Sequence, residues 1–491
     1  MRVSDTSITA FGLVYQQVIA FLMGVVVARF LGASEYGTFS LVRNFTTMAI
    51  TVLPLGLDIA LLKYLPKIES RRSFVRAQFG GFRVVIIGVS ILMVLLFCVA
   101  APFIQSHLYK IDHFSIYLII VALALPFTAD MALFGAYAKA FGQVRNFVLV
   151  TMIGQTSLRA IVTAATLLSG GGIFGALLAN TGASIITSVA VSTYYYWSGK
   201  TFRNGTAFDK KKSWLEIYAT LQESIWMAMS VFVYALMRTA DIFVLGLYSA
   251  SAVVGSYSSL SFISFVIFVA PLALSQSLGP HVARCFKDHD LLKMRMIFNA
   301  YILKSCIASG FLLGGIAAFG IRLDLLLGNS FVVSPLLALL LPLGQFASAV
   351  FGPTGFALSM TGRHKLELYL LCAGASLLVA LLFVLVPRYG PEGAAAASML
   401  AYSITNVSRY VLVRQHLGIW LGHWSSAIPV FVALALGYLV QHFGRGLFGV
   451  DLIGVGVACC VYTVVYGCFC LVFWRYCSGL ALRAPQLRAG L

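Results

Sequence analysis

The sequence predicts an all-α, polytopic membrane protein of about fourteen transmembrane helices, arranged as two pseudo-symmetric six-helix lobes with two additional helices after them. Three observations carry that prediction. Hydrophobic residues make up 60% of the chain and charged residues 10%, against roughly a quarter charged in a soluble domain. Apolar stretches near the roughly 20 residues that a helix needs to cross the hydrocarbon core recur along the whole chain. A sequence echo also returns at an offset of 218 residues, with Gly37-Thr38-Phe39-Ser40 repeated as Gly255-Ser256-Tyr257-Ser258 and Gly175-Ala176 as Gly393-Ala394. Pro126 with Pro342 and Gly142 with Gly362 keep the same order, the offset drifting only between 216 and 220. Four matches in one order argue for duplication, which in a polytopic protein points to two half-bundles about a central site.

Taken in order, six spans are expected in a first lobe (residues 1–200), at 7–30, 38–61, 82–105, 114–138, 146–168 and 172–197. A second lobe (201–414) repeats them at 217–247, 253–276, 296–320, 331–356, 366–387 and 391–413. Two further spans, 425–442 and 449–474, fall in a C-terminal segment (415–491) that ends in a cytoplasmic tail. The first span has only Arg2 ahead of it, is too long for a signal-peptide core and precedes no small-residue cleavage site, so it is expected to stay as a helix.

Charge sets the expected orientation. The net charge is +18, from 34 Lys and Arg against 16 Asp and Glu. With the amino terminus inside, 25 basic residues fall on cytoplasmic segments, among them Lys63, Lys67, Arg71, Arg72, Arg76 and Arg83 in one loop and Lys210-Lys211-Lys212 in another. Only Arg29, Lys110, Arg322, Arg388 and Arg445 fall outside. This is the positive-inside bias, and it places both termini in the cytoplasm. Topology and contact with anionic membrane lipids account for the excess, so nucleic acid is not an expected partner.

Other classes fit poorly. The nine cysteines form no CxxC pair, and Asp288-His289-Asp290 sits in a basic loop without further ligands, so no metal or cofactor is expected. All eight histidines lie in loops or near span ends, the loops are short, and no nucleophile, base and orienter come together, so the chain does not read as an enzyme.

The informative residues are charges within spans, each costing about 2.5 to 3.5 kcal/mol at the centre of the bilayer unless it faces a polar interior. The bases are Arg43, Arg159, Arg238 and Lys304, and the acids Asp58, Asp130, Glu223 and Asp241. Arg159 and Arg238 lie more than two turns from either end of their spans and are expected to face a water-filled lumen. Arg43 and Lys304 are close enough to an end to snorkel. Arg238 and Asp241, three residues apart, share a helical face on which they could neutralise each other. Asp58 sits one turn from the cytoplasmic end with Lys63 nearby, a boundary role as well as a binding one. Asp130 has no basic residue within a turn and is the better candidate for protonation coupled to transport.

At this point a resemblance enters. Arg29-Phe30-Leu31-Gly32, followed after three residues by Tyr36-Gly37, resembles the first interhelical turn of bacterial polysaccharide flippases. Leu55-Gly56-Leu57-Asp58 through Lys63-Tyr64 resembles the end of their second span, and Asp241 ahead of Gly255-Ser256-Tyr257-Ser258 the matching part of their seventh and eighth. Over its first twelve spans the chain is thus similar to the O-antigen and exopolysaccharide repeat-unit flippases of the multidrug, oligosaccharidyl-lipid and polysaccharide exporter superfamily. The resemblance implies a transporter that turns an undecaprenyl-diphosphate-linked oligosaccharide from the cytoplasmic to the outer leaflet of the bacterial inner membrane by alternating access. A polysaccharide polymerase and a chain-length regulator would be its partners downstream. On that expectation Arg238, Arg159, Arg43 and Lys304 hold the diphosphate, with Asp130, Asp241, Asp58 and Glu223 as coupling candidates. Tyr15, Gln16, Gln17, Trp226, Tyr234 and Tyr257 are sugar-contacting candidates, though each also suits ordinary packing between helices. Three rivals stand beside this reading: a lipid II flippase, which moves the same diphosphate chemistry; a multidrug cation antiporter, whose lumen should be acidic; and a non-transport scaffold, which leaves the mid-span charges without a purpose.

Overall fold

A computed structural model of the protein describes residues 3–54, 56, 69–140, 144–197, 210–319, 323–351, 354–361, 363–418, 424–448, 454 and 457–473, and every regular element within them is a helix. Among these residues nine helices are long and apolar enough to cross a membrane, or ten if one bent pair counts as a single span. The difference from fourteen lies in how the helices join. Val3–Val52 and His364–Leu417 each hold two of the expected spans, bent at Gly32 (φ 71°, ψ 174°) and Gly390 (φ 56°, ψ −130°). A side chain would strain either backbone conformation, so glycine is the residue that lets the chain bend there. Two other expected spans, at Pro335–Phe351 and Val457–Phe473, are shorter apolar helices.

Three irregularities have local causes or consequences. The expected fourth span is split into Phe114–Ala122 and Leu125–Ala140, because Pro126 lacks an N–H and its ring would meet the carbonyl of Ala122 four residues back. The fifth opens into a π-helix over Val148–Gly154 before returning to α-helix at Gln155–Leu168. The eighth bends by 41° between Ser251–Ser264 and Val266–Lys287. Just beyond that bend Pro271 leaves the carbonyl of Ile267 without an intrahelical donor, and the hydroxyl of Ser309 supplies one at 2.9 Å.

The outer face of the bundle is apolar. Leu92, Leu95, Leu96 and Val99 lie on one exposed helix stretch, the pattern of a surface that meets lipid. The helices before residue 198 and after residue 209 close on each other at the end of the bundle that carries Gly32. A Cβ at Gly37 would fall 1.9 Å from the carbonyl oxygen of Ser251, and one at Gly255 would fall 1.9 Å from that of Ala33. Ser251 and Gly255 stand 218 residues after Ala33 and Gly37, so the contact is reciprocal, as at an interface made by a two-fold rotation. Around it the Ala33 N–H donates to Ser330 Oγ (3.3 Å), the Val332 N–H donates to Ser256 Oγ (3.2 Å), and Tyr36 meets Phe331 edge-on. Phe45 packs on Phe243 with ring centres 4.5 Å apart. Gly172 and Gly390, again 218 apart, share a left-handed φ of 54° and 56°.

The last helices attach elsewhere. Ile428–Phe448 lies against Leu291–Phe319, where a Cβ at Gly437 would come within 2.3 Å of the Gly314 carbonyl. From the following helix Tyr462 and Tyr466 donate to the carbonyls of Phe311 (2.7 Å) and Ile307 (3.0 Å). Neither helix reaches the central cavity.

Candidate functional site: the central cavity

A cavity of about 520 Å³ lies between the two groups of helices. Its first-half wall is built by both arms of Val3–Val52 (Gln16, Gln17, Tyr36, Arg43), by Gln155–Leu168 (Arg159) and by Gly172–Trp197 (Asn180, Ser184). The opposite wall comes from Lys210–Tyr248 (Tyr234, Arg238, Asp241), the bent helix (Phe262, Phe265), Pro335–Phe351 (Gln345, Ser348) and His364–Leu417 (Ser398, Tyr402).

Three guanidiniums face this space, and none forms a salt bridge among the described residues. The Arg43 Cζ sits 5.8 Å from the centre of the Phe262 ring, and the Arg238 Cζ 4.5 Å from that of Phe265. Phe262 lies in Ser251–Ser264 and Phe265 at the bend that follows, so an arginine from each half rests on a ring of the same bent segment, and the two rings together are the aromatic shelf of the cavity. A ring face attracts a guanidinium without cancelling its charge. Arg159 donates to Ser184 Oγ at 3.1 Å, its Nε is buried without a partner, and the like charge of Arg43 acts on it as well. Unpaired cations within a span are costly. What this arrangement offers is a set of planar, charged donors ready for an anion with several oxygens.

Asp241 is the acid of this wall, and it does not neutralise Arg238. Its Oδ2 accepts from the Tyr257 hydroxyl at 2.7 Å and from Ser398 at 3.4 Å, while Oδ1 accepts from the Ile242 N–H at 2.8 Å. Three neutral donors surround the carboxylate and the shelf takes the guanidinium, so the shared helical face leads to no pair.

Several sequence expectations change. Asp130 is neither isolated nor on the cavity: Arg83 Nε and Nη2 donate to its two oxygens at 2.8 Å each, and Ser192 adds a third bond at 3.0 Å. Arg83 reaches it from the preceding span, 47 residues away, which a search for partners within one helical turn cannot find. Tyr257 is fully buried and serves Asp241 instead of facing the lumen. Tyr15 bonds to Ser157 (2.7 Å) and does not line the cavity. Trp226 is exposed, with the Lys365 ammonium 5.7 Å from its ring, and Lys304 is exposed away from the cavity. Asp58 and the side chain of Glu223 lie outside the described residues. Gln16, Gln17, Arg43, Arg159, Tyr234, Arg238 and Asp241 are brought together on the cavity wall.

Sequence reasoning missed the polar neutral lining, above all Asn180, Ser184, Gln345, Ser348, Ser398 and Tyr402. It also missed a buried pair in the second half, where Arg409 donates to Glu367 and, at 3.0 Å, to Asn406. The signal for that pair was present: both charges lie inside expected spans adjacent in sequence.

A family model described as polysaccharide biosynthesis protein matches residues 3–284. No curated protein matches the chain. Among solved structures, the lipid II flippase MurJ in an inward closed conformation is similar with a TM-score of 0.71 at 12% identity, over 95% of this chain and 98% of that one. An outward-facing multidrug resistance MATE family transporter of the MOP superfamily gives 0.58 at 12% identity, covering 84% and 95%. A MOP superfamily transporter from Pyrococcus furiosus, described as having a binding pocket of reverse polarity, gives 0.56 at 13% identity, covering 84% and 95%. At these identities the likeness establishes the shared helical architecture.

Proposed function

We propose that this chain, which belongs to the polysaccharide biosynthesis protein family, is a flippase for an undecaprenyl-diphosphate-linked oligosaccharide. It moves the repeat unit from the cytoplasmic to the outer leaflet of the bacterial inner membrane. The observation that supports this most is the cavity with three unpaired guanidiniums, two of them on one aromatic shelf and contributed by different halves. A lipid-linked diphosphate is an anion with several oxygens on a chain that can stay in the bilayer, and arginine forks match it.

With both termini inside, the end sealed by Gly37 and Gly255 faces outward, and the cavity loads from the cytoplasm. Residues 1–200 and 201–414 act as two lobes related by an axis along the membrane normal, and 415–491 as an extension on the second lobe. Rocking of the lobes about the shelf exposes the site alternately to the two sides. Asp241 is the coupling group in this reading, since it is the acid of the wall among the described residues. The chain transports its substrate without altering it, and a polymerase with its chain-length regulator consumes the product outside.

A lipid II flippase is the second reading, supported by the likeness to MurJ, and it asks the same diphosphate chemistry of the same arginines. A multidrug cation antiporter is opposed by the wall's charges, three cations against one acid among the described residues.

The test is reconstitution. In proteoliposomes holding a fluorescently tagged undecaprenyl-diphosphate-linked glycan, the protein should speed its exchange between leaflets, read by an impermeant quencher. Exchange no faster than in protein-free vesicles would remove the flippase reading.

A further inference from the structure

Among the described residues, four buried polar atoms without a hydrogen-bond partner belong to the cavity wall: Arg159 Nε, Asn180 Oδ1, Ser258 Oγ and Ser348 Oγ. Buried polar atoms without partners are rare in folded proteins, and a group of them around one cavity needs a cause.

Two of the four are chemically one-sided. An arginine Nε only donates and an amide oxygen only accepts, whereas a serine hydroxyl does either. Arg159 and Asn180 stand on successive helices and are tied together by Ser184. Arg159 Nη2 donates to Ser184 Oγ at 3.1 Å, and the Ser184 hydroxyl donates to the Asn180 main-chain oxygen at 2.9 Å. The unmet donor and the unmet acceptor therefore share one patch of the first-half wall.

Among the described residues the second-half wall leaves only serine hydroxyls unmet, Ser258 and Ser348, and not at the positions equivalent to Asn180 and Ser184. Ser398 and Tyr402 lie 218 residues after Asn180 and Ser184, and both are satisfied. Ser398 bonds to Asp241 (3.4 Å) and Tyr402 donates to the Met237 carbonyl (2.9 Å).

A diphosphate diester cannot complete the patch. It carries acceptors alone, so it can serve Arg159 Nε but has nothing to donate to Asn180 Oδ1. A sugar serves both. A ring hydroxyl accepts and donates, and an acetamido group accepts at its carbonyl and donates at its N–H.

We propose that the patch formed by Arg159 and Asn180 is a sugar subsite, separate from the Phe262–Phe265 shelf, that grips the first sugar of the lipid-linked glycan through a group that both accepts and donates. This rests on the flippase reading and deepens it. It orients the cargo across the cavity, with the diphosphate on the shelf between Arg43 and Arg238 and the sugar against Gly172–Trp197. Asn180 becomes the residue that senses whether a sugar is attached.

The experiment measures binding of two lipids to the full-length protein in nanodiscs: undecaprenyl diphosphate, and undecaprenyl diphosphate bearing N-acetylglucosamine. Wild type should prefer the sugar-bearing lipid by about tenfold, the scale of one or two hydrogen bonds. Asn180→Leu should erase that preference and leave the affinity for the bare diphosphate within about twofold. Arg159→Lys, which keeps the charge but removes the Nε donor, should also erase the preference, read as the ratio of the two affinities because Arg159 faces the diphosphate as well, and serves if Asn180→Leu fails to assemble. Arg238→Gln should weaken both lipids alike. Equal weakening of both lipids by Asn180→Leu, or an undiminished preference in that variant, overturns the sugar subsite while the diphosphate shelf stands. Wild-type protein that binds neither lipid overturns the flippase reading itself.

Discussion

The two walls of the cavity occupy equivalent places in the repeat and have diverged in chemistry. At the 218-residue offset Arg43 corresponds to Ser261, Ala20 to Arg238, Met23 to Asp241, Asn180 to Ser398 and Ser184 to Tyr402, and all ten residues line the cavity. The first wall is basic and leaves a one-sided donor and acceptor, Arg159 Nε and Asn180 Oδ1, unmet, whereas the unmet atoms of the second are the serine hydroxyls of Ser258 and Ser348. The second holds the acid, its neutral donors and one arginine. What the halves keep in common is backbone geometry: the reciprocal Gly37 and Gly255 approach, and the left-handed Gly172 and Gly390. The halves thus coincide where main chain meets main chain or turns sharply, and differ in the side chains that face the lumen.

The largest effect should come from breaking the shared backbone. Gly37→Leu and Gly255→Leu each drive a side chain into the facing helix, so leaflet exchange should fall to the protein-free rate in both variants. If the contact is a true two-fold seal, the milder Gly37→Ala and Gly255→Ala should show equal losses in the same assay. A loss confined to one of them would break the equivalence of the halves.

The next comparison sets the two ion pairs against each other. Glu367 and Arg409 are both buried, and Arg409→Gln should destabilise the protein by about 3 to 5 kcal/mol, the cost of stranding a buried charge. In the first half the Arg83 side chain is 38% exposed, so Arg83→Gln should cost only about 1 kcal/mol after screening by solvent. Thermal unfolding in detergent ranks the two variants, and a larger loss for Arg83→Gln would reverse the account. Asp130→Asn should leave the gradient dependence of transport intact, since Asp130 is committed to Arg83. The smallest effect is expected at Tyr257→Phe, which removes one of three bonds to Asp241 at about 1 kcal/mol. A transport assay across a range of proton gradients should show a small shift in that variant if Asp241 is the coupling group proposed above, and none if it is not.

The spans were legible because each is a long apolar run, and the split at Pro126 was legible in principle because proline cannot continue the helix after Ala122. Joins were harder to read, since a single left-handed glycine lets two spans run as one bent helix at Gly32 and at Gly390. In the cavity the sequence picked out mid-span arginines, because cost to insert is a one-residue property. Partners are not. Arg83 finds Asp130 across two spans, Tyr257 turns inward to Asp241, and Arg238 leaves its helical neighbour for Phe265. Asn180 carries no charge and sits in an apolar helix, so nothing local marked it; its unmet amide oxygen is visible only once the walls are assembled.

The central claim is that Arg238 offers its charge to the cargo and not to Asp241. Leaflet exchange of the tagged undecaprenyl-diphosphate glycan should be measured for Arg238→Gln, Arg238→Lys and the double variant Arg238→Gln with Asp241→Asn, all at equal reconstituted protein. The account predicts exchange abolished by Gln, partly kept by Lys, which retains the charge without the planar fork, and not restored in the double variant. Exchange recovered when both positions are neutral would show that Arg238 exists to balance Asp241, and would contradict the account.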